Sequence, residues 1–179
     1  MLHVIGFERI GVVIGDLYFV DPDPTPGQEG AERGVRLEVR LLERSDLPGS
    51  IYSAQPITVG LPIWRADLFE SVEGPMGSFD RTHHHPQFRG WEPGSRAFDA
   101  EMSADPVGYV GTKLGDVATL CAEAGVDPAD IPAHDVADLR TAVPEILAVL
   151  RRLLAGVHAG ELATAPTHEP LTSARAGWL

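Results

Sequence analysis

Val35-Arg36-Leu37-Glu38-Val39-Arg40-Leu41 alternates apolar and charged residues without a slip. A period of two belongs to a strand with one face on a core and the other in water, so this stretch predicts a half-buried β-strand. Upstream and downstream of it, short runs rich in Val, Ile, Leu, Tyr and Phe are broken by Gly and Pro. They predict antiparallel strands near 3–7, 10–20, 34–44, 51–59, 61–72 and 78–85. Between the second and third, Asp21-Pro22-Asp23-Pro24-Thr25-Pro26-Gly27-Gln28-Glu29-Gly30 carries three prolines and two glycines. That composition predicts a mobile surface loop.

Beyond Pro86 the apolar period moves towards 3.6. Asp105-Pro106 supplies a capping side chain and a proline at the first helical position, and Gly125 follows the last apolar residue, which predicts a helix over 106–124. Asp127-Pro128 repeats the start signal for a short turn. Val136, Leu139, Val143, Ile146, Leu147, Leu150, Leu153, Leu154 and Val157 then predict a long helix kinked or divided at Pro144. The apolar residues of 147–154 cover more than one helix face, which implies burial on two sides, under the sheet or against a second copy in a homodimer. The fold class that follows is α+β: a mainly antiparallel β-sheet over about 3–85, then C-terminal helices packed on it. A single domain over 1–160 precedes a tail, 161–179, in which Trp178 either docks or stays loose.

The 179 residues suffice for one domain with its own core. One cysteine, Cys121, excludes an intramolecular disulfide and reads as a buried thiol in a reducing compartment. The N-terminus has no basic segment leading into an apolar one, and no run approaches the roughly 18 apolar residues of a membrane span. Cytoplasmic localisation and no membrane partner are the expectations. With 26 acidic against 14 basic residues the net charge is −12, which repels polyanions and argues against non-specific nucleic-acid binding.

Chemistry concentrates in Trp64-Arg65-Ala66-Asp67-Leu68-Phe69 and Asp80-Arg81-Thr82-His83-His84-His85-Pro86, joined through Glu73-Gly74-Pro75-Met76-Gly77. Pairing about Pro75 sets Phe69 opposite Arg81, Asp67 opposite His83 and Arg65 opposite His85, all on one face. Trp64, Ala66, Leu68, Thr82 and His84 then share the other face. The same register brings Glu70 beside Asp80, an unfavourable pair that calls for a slip or bulge near the turn.

Two chemistries fit that face. His83 and His85, with Asp67 or Glu92, supply three ligands for one divalent ion (Zn, Fe, Mn or Ni) and leave a position open. Without metal, the histidine pair oriented by Asp67 offers acid and base, while Arg65 and Arg81 neutralise a phosphate-containing substrate. A purely structural arrangement, with His84 in the core and Asp67 and Arg81 as an ion pair, competes with both. Second-tier candidates are Arg89, Glu92 and Arg96 in the turn-rich stretch where Trp91 and Phe98 pack over the sheet. His3, His134, His158 and His168 stand singly and read as surface residues.

The spacing Gly77, His83, His85 resembles the opening of the first cupin motif, which implies two metal-ligating histidines on a barrel strand. The glutamate of that motif is missing, because Arg89 and Gly90 stand where it belongs. The span 64–110, with Arg-Ala-Asp-Leu-Phe, Asp-Arg-Thr-His-His-His-Pro and Gly-Trp-Glu-Pro, resembles an uncharacterised actinobacterial family, which locates a motif and implies no activity. A hydrolase-like protein with its site on this hairpin face is one reading. The other is an acidic, non-enzymatic interaction protein, dimeric through its C-terminal apolar helix.

Overall fold

A computed structural model of the chain describes residues 1–166 and the backbone of 174–176. The fold is α+β, with an antiparallel sheet from the first half and helices from the second packed against it. Its strands are β1 (Leu2–Gly6), β2 (Ile10–Val20), β3 (Ala31–Arg44), β4 (Ile57–Ser71) and β5 (His83–His85), ordered β1-β2-β3-β4-β5. A two-residue pair, β6 (Phe88–Arg89) and β7 (Glu92–Pro93), forms a separate hairpin, and β8 (Ala174–Ala176) pairs with Tyr18, Phe19 and Val20 of β2.

The expected strands at 51–59 and 61–72 are one strand, β4, and 51–56 belongs to the connection before it. The register with β3 shifts on either side of the pair Arg40 and Pro62. Proline has no N–H for the ladder, and a bulge is the local solution. Gly34 lets β3 lie close to β4, because a Cβ there would stand 2.1 Å from the Leu68 carbonyl oxygen. The expected strand at 78–85 contracts to His83–His85. Residues 75–82 are instead spent in turns closed by Ser78 N–H on the Pro75 carbonyl and Thr82 N–H on the Phe79 carbonyl.

The helices are α1 (Ala100–Ala104), α2 (Pro106–Gly115), α3 (Val117–Glu123) and α4 (Ala133–His158), with a 3-10 turn at Pro128–Asp130 where the Asp127-Pro128 signal placed one. The helix expected over 106–124 is divided, because Asp116 leaves helical geometry and its carboxylate caps Thr119 N–H. The division expected at Pro144 does not occur. α4 runs through it for 26 residues; Pro144 faces solvent, where water can take up the carbonyl that a proline leaves unpaired.

One core joins the helices to a single sheet face. Ile10, Val12, Ile14, Val35, Leu37, Val39, Ala66 and Leu68 meet Met102, Val110, Leu114, Leu139, Ile146, Leu150 and Leu153. Full burial of each Val, Leu, Ile or Met side chain among them is worth about 1.5–3 kcal/mol. The two-sided burial predicted for 147–154 is met inside the chain. Leu150, Leu153 and Leu154 are buried in the core, and Leu147 lies against Gly111 of α2, where a Cβ would come within 2.9 Å of it. Cys121 is buried, and burial pushes its thiol up to about 11.

The opposite sheet face departs from expectation. Arg36 and Glu38, predicted to meet water, are each 6% exposed. The stretch 86–98 folds over them, with Phe88 facing Arg65 and His85, Phe98 against His83, and Trp91 over the Arg40 guanidinium. The Pro-rich loop at 21–30, read as mobile, is held at several points: Arg81 donates to the carbonyls of Gly27 and Glu29, and Arg96 donates to Gln28 and Asp21. At the start of the expected tail, buried Ala163 donates its N–H to Asp16. Trp178 and His168 lie outside the described residues. Among the described residues, no helix is long and apolar enough to cross a membrane.

Candidate metal centre beneath a loop cover

Strand pairing builds the site as two adjacent rungs. On one, Arg36 of β3, Asp67 of β4 and His83 of β5 lie side by side; on the next stand Glu38, Arg65 and His85. The register predicted for β4 and β5 is the one observed, although the connection between them is longer than the five residues expected. Charges of opposite sign face one another across β3 and β4 on both rungs, the favourable cross-strand arrangement.

Asp67 is the centre of the cluster and is fully buried. Arg36 grips it as a fork, Nε donating to Oδ1 at 2.6 Å and Nη2 to Oδ2 at 3.1 Å. Arg65 Nε lies 3.0 Å from Oδ2 without hydrogen-bond alignment, and Arg65 Nη2 lies 2.8 Å from His85 Nε2. His83 Nε2 stands 3.3 Å and His85 Nε2 3.7 Å from the same Oδ2. Burial alone would raise the Asp67 carboxyl, but the Arg36 and Arg65 charges and the His83 hydrogen bond hold it well below the usual carboxylate range. Burial first, and then the Arg65 charge, push His85 down to about 3. Burial raises Glu38 against the pull of Arg36 and Arg40.

Ring orientation follows from the backbone. His83 Nδ1 lies 2.8 Å from the Arg81 carbonyl and His85 Nδ1 2.7 Å from the Gly94 carbonyl. A carbonyl only accepts, so each Nδ1 carries a proton, and each ring turns its Nε2 towards Asp67. Such carbonyl anchoring orients metal-bound histidines. One donor atom from each of Asp67, His83 and His85 lies within 4.8 Å of the other two, so the group can hold a metal ion. Spacings of 3.3 and 3.7 Å to Oδ2 approach the roughly 3.3 Å between ligands of a tetrahedral ion with bonds of about 2.0 Å.

Of the residues predicted for this face, Arg65, Asp67, His83 and His85 converge. Arg81 does not: its backbone N–H still reaches the Phe69 carbonyl, but the turn at 79–82 ends the strand alternation and its guanidinium goes to the 21–30 loop. Glu92, offered as a ligand, is exposed on β7, where it pairs with Arg89, also exposed; its carboxylate is not among the converging donors. Arg96 is a staple, reaching Gln28, Asp21 and buried Glu32. The feared contact between Glu70 and Asp80 is resolved without a slip in pairing. Glu70 accepts from Arg33 and Gly77 N–H, while Asp80 accepts from Ser71 N–H and Ser78. His84, on the core side as predicted, meets the Tyr109 hydroxyl at 3.2 Å.

Arg36 and Glu38 were missed because their alternation reads equally as a solvated face. The signal was in the signs: Arg36 and Glu38 complement Asp67 and Arg65 once β3 and β4 are paired antiparallel. Compared with known protein families, curated proteins and solved structures, the chain matches none, and its geometry carries the functional reading.

Proposed function

We propose that Asp67, His83 and His85 bind one divalent metal ion and that the protein is a metal-assisted, hydrolase-like enzyme for a phosphate-containing substrate. The observation that carries this reading is the convergence of two carbonyl-anchored imidazoles on one carboxylate oxygen. Three protein ligands leave an open position, and a divalent ion held there would supply an activated water and a Lewis acid. The lone pair such an ion needs on His85 is the one that faces Arg65 Nη2. Metal binding therefore displaces Arg65, leaving a guanidinium beside the centre for an anionic group. Phe98, 53% exposed with its ring 5.5 Å from that of His83, is the side chain a substrate would push aside.

A second reading draws on the burial of the same residues, His83 at 1% and His85 at 3% exposure. In an acidic interaction protein the cluster serves only to fasten the 86–98 cover to the sheet. Elemental analysis of untagged protein beside a His83→Ala, His85→Ala variant, with phosphomonoester and phosphodiester hydrolysis followed on both, separates the two. Turnover together with one equivalent of metal more than the variant holds, both lost in the variant, supports the enzyme; that extra equivalent without turnover leaves a structural clasp, and equal metal content in the two proteins overturns the metal centre.

A further inference from the structure

We propose that Glu8, His134 and Asp135 form a second divalent-cation site, suited to zinc, which ties the turn between β1 and β2 to the start of α4. The turn is closed by Phe7 N–H on the Ile10 carbonyl and places two backbone amides against one carboxylate. Glu8 N–H donates to Asp135 Oδ1 at 3.1 Å and Arg9 N–H to Oδ2 at 2.6 Å. Asp135 is thereby fixed and fully buried, while each oxygen keeps a second lone pair.

His134 Nε2 lies 2.9 Å from Glu8 Oε2 and 3.5 Å from Asp135 Oδ1, and the three donors all fall within 4.8 Å of one another. A charged histidine paired with Glu8 explains only half of this. The single proton on Nε2 serves one acceptor well, whereas oxygens from two residues face the nitrogen. A cation between the three satisfies all of them, with nitrogen and carboxylate ligands of the kind zinc accepts. The His134 and Glu8 side chains are 59% and 49% exposed, so a hydrated ion can enter and keep water in its remaining positions. The two carboxylates offset the positive end of α4, and the net charge of −12 favours cation over anion.

The test is calorimetric zinc titration of the full, untagged, chelator-stripped chain and of His134→Ala, whose exposed position keeps the fold intact. The expected result is that the wild type takes up one equivalent more than His134→Ala, and that zinc raises the Tm of His83→Ala, His85→Ala but not of that variant with His134→Ala added. If the buried centre binds no metal, the difference of one equivalent remains. Equal zinc stoichiometry in wild type and His134→Ala overturns the second site whatever happens at the first.

Discussion

Nη2 of Arg65 lies 2.8 Å from Nε2 of His85, pointing a cation at the lone pair on which metal binding would depend. Arg65 and a metal ion are alternatives at that nitrogen. Arg65→Met removes the competitor and its charge while keeping much of the aliphatic stem. A charge-assisted hydrogen bond is worth about 1.5–3 kcal/mol, so zinc affinity in competition with a chromophoric chelator is expected to rise by about tenfold or more. Unchanged affinity would place the metal elsewhere or nowhere in this cluster.

Asp67 makes the steepest demand on stability. It is the carboxylate paired with the Arg36 guanidinium, whose side chain is only 7% exposed. Asp67→Asn leaves that charge without its partner, for which about 3–5 kcal/mol is the usual loss. Replacing the pair together, Asp67→Leu with Arg36→Met, removes both charges and is expected to cost much less. Urea unfolding of the three proteins checks this. Equal losses in single and double variants would show that shape rather than charge governs the site.

The fold and four of the six residues on the two rungs were legible in the sequence, and the physical reasons differ residue by residue. The register of β4 on β5 followed from alternation about one proline, because Asp67 and His83 must share a face if Ala66 and His84 share the other. The burial of Arg36 could not be read in the same way. Period-two alternation fixes which residues face together, not whether that face meets water, and the cover over 86–98 has little regular structure to betray it. Arg81 was misplaced because alternation fails where a strand ends in turns. A division of the helix at Pro144, one of the two expectations there, fails because a propensity rule ignores which side of the helix meets solvent.

Acid should loosen the fold through His85. Its ordinary value of 6.5 falls to about 3 in the folded chain, so between these limits the unfolded chain binds the proton that the folded one refuses. Stability from this group is complete above about 6.5 and drains away as the pH drops towards 3. Asp67, also depressed, adds a loss of the same sign in the more acidic range. Urea midpoints from pH 7 to 4 should therefore fall for the wild type and fall less steeply for His85→Gln. Parallel profiles would assign the acid sensitivity to other groups.

Access to the centre should be set by Arg96. Its guanidinium reaches Asp21 Oδ2 at 3.1 Å and Gln28 Oε1 at 2.6 Å from a position two residues after the Gly94 carbonyl that orients His85. The cover over the buried donors is thus fastened to the 21–30 loop as well as to the sheet. Arg96→Ala cuts that fastening without touching Asp67, His83 or His85. It also leaves Glu32, which is 1% exposed, without its arginine, so a modest stability loss accompanies the change. Stopped-flow mixing of stripped protein with zinc and a chromophoric indicator should show faster uptake and faster release for Arg96→Ala, with their ratio little altered, because a latch changes the barrier and not the ligands. A change in only one of the two rates, and so in their ratio, would mean that Arg96 acts on the metal ligands themselves, and the latch would be abandoned.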